Sequence, residues 1–354
     1  MLILGIETSC DETSAALIKE KKGKIEMLSN IIASSLALHA KTGGIIPEVA
    51  AREQVKYIIP VIEKALEKIK DPKKELDAVA VTVGPGLIGS LLVGVETART
   101  LSYVWKKPLI PVNHLFGHIY ANWLMADGAS HIDKNLHATN YPLRANIEFP
   151  AIALIVSGGH TDLILMRAHG KTKWLGGTRD DACGEAFDKT GRLLNLPYPG
   201  GPHIEKMAMN VNKDIYHFPR PLIRSDDYDF SFSGLKTAVL REIETIEQLN
   251  NEAISNISFS LQNAVFDVLI KKTLNAAIKF RAKSILLGGG VAANKTLRKC
   301  FELEIRNLKL EIPLFVPEKR LCTDNAAMIA AAGFYSHERV SWDKITPNPE
   351  LYFD

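Results

Sequence analysis

Cysteine is scarce: four residues, at positions 10, 183, 300 and 322, lie far apart and form no CxxC. That spacing builds neither a disulfide framework nor a zinc knuckle, and it fits a reducing cytoplasm. Long apolar runs are missing too. No stretch of about 18 consecutive apolar residues occurs, which argues against a membrane-spanning helix. The apolar start, Met1 to Ile6, lacks a basic n-region and meets an acid at Glu7, so it does not read as a signal peptide. There is no GxxxxGK[ST], which excludes a P-loop, and no GxGxxG opens a helix in a βαβ unit with the downstream acid of a dinucleotide site. Glycine and proline, at 24 and 17 residues, fall short of a low-complexity or collagen-like chain.

What is present is globular in character. The 354 residues are 46% hydrophobic and 23% charged, and at roughly 150 residues per domain they suggest two lobes. The net charge of +3 says little, but its distribution says more. Between Val265 and Arg320 stand twelve Lys/Arg against five acids. Such a basic segment suits a polyanion such as RNA, or it solvates helix faces.

The patterning predicts α/β structure. Leu2 to Ile6 and Ser14 to Ile18, separated by turn-forming Thr8, Ser9 and Asp11, read as an opening hairpin. Over 47–70, Val55, Ile58, Ile59, Ile62, Ala65, Leu66 and Ile69 recur at spacings of three and four, a helical stripe that Pro60 kinks or divides. Ala78 to Val83 reads as a buried strand entering Gly84-Pro85-Gly86, with a helix over Ile88 to Trp105 behind it. After Pro108 a short strand leads to Asn113. A second strand pair, Ala151 to Val156 and Thr161 to Met166, is joined by Ser157, Gly158, Gly159 and His160. Asn256 to Lys279 reads as helix and Ser284 to Leu287 as a strand entering three glycines. A last helix runs from Asn325 to Tyr335, capped by Thr323 or Asp324. Strand-turn-strand openings thus recur at 2–18 and 151–166, as two similarly built lobes require. The expected division is 1–112 and 113–323, with 324–340 returning to the first lobe and a polar insertion at 125–148.

Four groups of residues point to chemistry. His114 and His118, four apart, project from one helix face toward a single metal ion, although such pairs also arise by chance. Leu115 stands where the HExxH general base of a metalloprotease belongs. Asp324 is the best third ligand, or else an ordinary helix cap. Glycine clusters at 84–86, 158–159, 176–177, 200–201 and 288–290 either make tight turns or let backbone N–H groups approach a phosphate or adenosine. Asp181, Glu185 and Asp188 share a face if 180–189 is helical, an arrangement of like charges suited to hydroxyls or a metal-bound phosphate. Residues 229–237 alternate aromatic and hydroxyl side chains like a half-buried strand before Lys236.

Nine strings stand in order along the chain: GIETSCDE at 5–12, GPGL at 84–87, NHLFGH at 113–118, VSGGHT at 156–161, DDACGEAFDK at 180–189, YPGGP at 198–202, DFSFSGLKT at 229–237, GGGVAAN at 288–294 and CTDN at 322–325. Together they resemble the tRNA N6-adenosine threonylcarbamoyltransferase (TsaD) family, in its bacterial form. The resemblance implies an α/β fold of two RNase-H-like lobes, as in the actin and sugar-kinase superfamily, around a nucleotide. It implies transfer of a threonylcarbamoyl group from threonylcarbamoyl-AMP to N6 of the adenosine 3′ of the anticodon, in tRNAs reading codons that begin with A. By the same resemblance His114, His118 and Asp324 would bind one divalent metal, iron before zinc. Ile155, Val156, Ser157, Gly158 and Gly159 would line the adenylate, or ATP. Asp188 and Gly201 would contact its ribose or base, Asn294 its adenosine, and Glu205 matches an acidic contact of some relatives. The adenine amine is a poor nucleophile, so some group must accept its proton: Asp11, Glu12 or the phosphate.

The resemblance further implies a TsaB-type paralogue and a TsaE-type ATPase as partners, a separate synthase supplying threonylcarbamoyl-AMP, a cytoplasmic location and no membrane. The polar stretch at 125–148 is longer than the family pattern leads one to expect. Contact with tRNA or a partner is a reading for it, and its His131 and His137 read as loop histidines. The competing functions are a metalloprotease, a non-catalytic scaffold and an ATPase of the same fold.

Overall fold

The computed structural model describes residues 1–21, 24–124 and 146–353. Two units result, Met1–Asn146 with Pro317–Asp354, and Ile147–Val316. The polar stretch at 125–148 lies outside the described residues as far as 145, and His131 and His137 lie there with it.

In the first unit β1 (Leu2–Glu7), β2 (Glu12–Lys21) and β3 (Lys24–Ser34) form an antiparallel meander. Helices α1 (Leu36–Thr42), α2 (Pro47–Leu66) and α3 (Pro72–Glu75) follow. Then come β4 (Ala78–Gly84), α4 (Ile88–Trp105), β5 (Leu109–Asn113) and α5 (His114–Tyr120). Strand order is β3-β2-β1-β4-β5, with β4 parallel to β1 and to β5. β1 and β4 are buried throughout, because helices cover both faces. Leu2, Leu4 and Ile6 pack with Ile58 and Ile62 of α2 and Val95 and Ala98 of α4. The alternate residues of β1 point the other way. There Gly5 is indispensable, since a Cβ on it would come to 2.3 Å from the Ala326 carbonyl oxygen.

The stripe over 47–70 gives a helix that runs through Pro60 without division and ends at Leu66. Pro60 lies on the exposed side, where water can satisfy the carbonyl it leaves unpaired. Val55 and Ile59, read as part of the buried stripe, are 64% and 50% exposed.

The second unit repeats the plan. Its strands are β6 (Ala151–Val156), β7 (Thr161–Ala168) and β8 (Lys171–Gly177). Helices α6 (Cys183–Leu193), α7 (Gly200–Ala208), α8 (Ser233–Glu244) and α9 (Asn251–Lys279) follow. Then come β9 (Ser284–Gly288), α10 (Lys295–Asn307) and β10 (Leu314–Phe315). The order β10-β9-β6-β7-β8 has the same sequence of antiparallel and parallel pairings as the first sheet. Two RNase-H-like lobes, as expected, are the result. By length and composition α9 could cross a membrane, the one such helix among the described residues. Sixteen of its residues, Ile257 to Ala277, are buried in the protein.

The chain then adds α11 (Lys319–Cys322) and α12 (Ala326–Tyr335) to the first unit. The divisions fall at Asn146 and Pro317, not at 112/113 and 323/324. α5 follows β5 directly and packs on α12, so it stays with the first sheet. All four cysteines are free.

Two local expectations are corrected. α6 starts at Cys183, so Asp180 and Asp181 precede it and no helical face unites the acids. The Asp180 carboxylate instead accepts bonds from Ser231, Phe232 N–H and Ser233 at the start of α8, and Lys189 pairs with both Asp181 and Glu185. Residues 229–237 form no strand. Phe230 makes one bridge with Thr178, Phe230 and Phe232 stack in the core, and α8 begins at Ser233.

Candidate metal centre

In the first unit α5 is started by Asn113, whose side-chain oxygen accepts from Leu115 N–H at 2.8 Å. One turn separates His114 from His118, and their rings lie 4.7 Å apart, edge to face. Gly117 between them lets α12 come close, since a Cβ there would reach 2.7 Å from Ile329 Cδ1. α12 is capped neither by Thr323 nor by Asp324. Asn325 does it, accepting from Met328 N–H at 3.1 Å, so the Asp324 carboxylate is not consumed as a cap. Its Oδ1 lies 3.5 Å from His114 Nε2 and 3.3 Å from His118 Nε2.

The three ligand atoms fall within 4.8 Å of one another, so a shift of a few tenths of an ångström would let them share one ion at bonds of about 2.0–2.2 Å. His118 is buried, its Nδ1 has no hydrogen-bond partner, and the Asp324 carboxylate lies 3.3 Å from its Nε2. A buried imidazole so poorly satisfied is costly, and a metal bond is an ordinary remedy. Two imidazoles and a carboxylate suit a first-row ion such as iron or zinc. The residues therefore fit the metal that the resemblance implies.

The electrostatics agree. Burial pushes the His118 pKa down. Burial acts downward on His114 as well, but the Asp324 and Glu7 carboxylates outweigh it and hold that group up at about 9. Asp11 and Glu12, in the turn after β1 and at the start of β2, belong to the same unit. Burial, then the charges of Asp324 and Asp11, raise Glu12 to about 10, and its Oε1 accepts from the Ser34 hydroxyl at 3.1 Å. Three carboxylates crowded this way are what a cation would relieve. Glu7 and Ser9, absent from the sequence-based set, also touch His114, with Glu7 Oε2 and Ser9 Oγ at 3.1 and 3.2 Å from its Nδ1.

The other expected site residues belong to the second unit. Ile155 and Val156 are fully buried in β6, so they can offer a ligand nothing but backbone. Ser157 is half-buried, and Gly158 and Gly159 are exposed with open space where a Cβ would stand. The turn is closed by Ser157 N–H donating to the His160 carbonyl and His160 N–H donating to Ser157 Oγ. It is gripped by two bare backbones: a Cβ on Gly184 or on Gly289 (φ +89°) would come to 2.5 Å or 2.4 Å of the Ser157 or Val156 carbonyl oxygen.

Asp188 Oδ1 accepts from Gly200 N–H at 2.7 Å, Gly201 N–H bonds the same carboxylate, and burial raises its pKa. Gly201 and Glu205 are one turn apart on α7. Glu205 accepts from Lys295 N–H at 2.7 Å, beside Asn294. Asn294 caps α10 through Leu297 N–H and donates to Gln262, both at 3.0 Å. These contacts link Asp188, Gly201, Glu205 and Asn294 into one strip, but much of their hydrogen-bonding capacity is already used within the protein.

Comparison with known proteins bears on the identity. A family model described as "tRNA N6-adenosine threonylcarbamoyltransferase" matches residues 26–331. A Bacillus subtilis protein of that name is 47% identical over 340 residues, covering 96% of this chain and 91% of its own. Its Thermomicrobium roseum counterpart is 46% identical and covers 96% and 93%. Among solved structures, HypF of T. kodakarensis superposes with a TM-score of 0.59 at 16% identity, over 94% of this chain and 47% of that one. Component A of the Acidaminococcus fermentans (R)-2-hydroxyglutaryl-CoA dehydratase gives 0.50 at 14% identity, over 95% and 98%. These two share the fold alone, whereas the match in sequence runs nearly end to end. The chain thus belongs to the tRNA N6-adenosine threonylcarbamoyltransferase family.

Proposed function

We propose that the chain transfers a threonylcarbamoyl group from threonylcarbamoyl-AMP to N6 of the adenosine 3′ of the anticodon, in tRNAs reading A-initial codons, and releases AMP. The observation that carries this reading is a family match over 26–331 that includes the clustered His114, His118 and Asp324. Those three residues hold a divalent ion, iron or zinc, which when bound supplies Lewis acidity toward a carbonyl or phosphate oxygen. Exposed N–H groups of Gly158 and Gly159 meet the phosphate, and Asp188, Gly201 and Asn294 hold the nucleoside. Asp11, Glu12 or the phosphate accepts the proton that N6 loses as the new C–N bond forms. A protease reading finds no support: fully buried Leu115 stands where its general base would have to be.

A TsaB-type paralogue as partner is supported by exposed apolar residues on two helices in mutual contact. Val55 and Ile59, one turn apart on α2, and Ile88 and Leu92, one turn apart on α4, are 41–64% exposed. A TsaE-type ATPase, a separate synthase and a cytoplasmic location complete the proposal.

The test is a transfer assay with synthetic threonylcarbamoyl-AMP, unmodified tRNA and a TsaB-type protein, read by nucleoside mass spectrometry. The modified nucleoside should form and should vanish with His114→Ala. Phosphate release from ATP without any modified nucleoside, under every partner condition, would replace the reading with an ATPase.

A further inference from the structure

We infer that Glu7 is a positioning residue for the metal centre: it fixes the tautomer and ring orientation of His114 and so sets how tightly the ion is held. The inference rests on His114, His118 and Asp324 being metal ligands. Glu7 ends β1, and by alternation it lies on the face where Gly5 meets the start of α12. Its side chain is fully buried. Three donors converge on its two oxygens. Ser9 N–H bonds Oε1, while the Thr82 hydroxyl reaches Oε2 at 2.6 Å and His114 Nδ1 lies 3.1 Å from the same oxygen.

An imidazole that binds a metal through Nε2 carries its proton on Nδ1 and needs an acceptor there. Glu7 is that acceptor. Ser9 Oγ is also near, at 3.2 Å, but a hydroxyl is the weaker acceptor and adds less to the basicity of Nε2. Ser9 N–H and Thr82 in turn hold the carboxylate, so its orientation is set by the strand and the turn rather than by the imidazole. Asp324 Oδ1 lies on the Nε2 side of the same ring, which leaves Nε2 for the ion. His118 has no comparable support, since its Nδ1 is without a hydrogen-bond partner. Of the two histidines, His114 is therefore the one held in advance.

The experiment compares the full-length chain with its Glu7→Gln, Ser9→Ala and Thr82→Val variants. Competitive Zn²⁺ titration gives affinity, the visible spectrum of the Co²⁺ form reports ligand geometry, and unfolding of the metal-free chains isolates any purely structural effect. Glu7→Gln should weaken binding by about 10- to 100-fold and shift the Co²⁺ bands, out of proportion to any change in metal-free unfolding. Thr82→Val and Ser9→Ala should each cost less than about fivefold. Equal Zn²⁺ affinity and an unchanged Co²⁺ spectrum in Glu7→Gln would overturn the inference while leaving the metal site standing. So would a loss of affinity matched by an equal loss of metal-free stability. If the unaltered chain bound neither ion, both the inference and the metal reading would fall.

Discussion

At the scale of single residues, the centre depends on where small or acidic side chains sit on otherwise ordinary elements. Gly5 shows this most directly. Any larger residue would collide with backbone at Ala326, so Gly5→Ala should cost about 1–3 kcal/mol and displace the segment bearing Asp324. Denaturant midpoints together with metal affinity would show both losses. Asp180 is a second case. Burial works against its charge, but bonds from Ser231, Phe232 and Ser233 prevail and hold its carboxyl below the ordinary carboxylate range. A depressed pKa stabilises the fold above the ordinary value and stops doing so as pH falls through the folded one. The gap in stability between the unaltered chain and Asp180→Asn should therefore be full at pH 6 and narrow below about pH 4, as urea midpoints across that range can check. The histidine pair was legible in the chain because its spacing is a local signal, whereas Asp324, which also read as a helix cap, was singled out through the family resemblance. Glu7 was not, since an acid at a strand's end looks like any other. Only the alternation from Gly5 marks the face it occupies.

At the scale of elements, strong periodicity was readable and the edges were not. The helix over Ile88 to Trp105 and the strands at 78–84 and 151–156 follow directly from their patterns. The stripe over 47–70 misleads in part, because periodicity says which residues share a face but not what that face meets. Val55 and Ile59 continue the spacing of Ile58 and Ile62 yet turn outward. Replacing both with lysine should weaken association with a TsaB-type protein at least tenfold while leaving the thermal midpoint within about 2 °C, because neither contributes to the core. Co-sedimentation and a melting curve decide between that outcome and an unfolded helix. The acid cluster at 180–189 was misjudged for a different reason. Helix starts depend on caps and on neighbouring segments, and here the first acid, Asp180, serves a helix about fifty residues further on, while Asp181 pairs with Lys189.

At the scale of the whole molecule, the recurrence of two strand openings was enough to anticipate two sheets of one design. The limits of the units were not, because the chain returns to the first sheet only at Pro317, and that return depends on contacts distant in sequence. It also brings Asp324, near one end of the chain, to His114 and His118 from its first third. An ion joining them would act as a cross-link between β5–α5 and the α12 segment. Stripping it with a chelator should lower the melting midpoint by about 5 °C or more when the ion had been present at a hundred times its dissociation constant. Calorimetry before and after metal restoration would check this.

Each sheet places a four-residue turn after its first strand, Thr8 to Asp11 in one and Ser157 to His160 in the other. The same slot has been furnished in opposite ways. In the first copy it is filled with hydroxyl, thiol and carboxyl groups beside a buried glutamate. In the second it is stripped at its tip to bare peptide. A repeated framework of this kind can acquire a new chemistry by exchanging a few residues in one slot, without disturbing a single strand pairing.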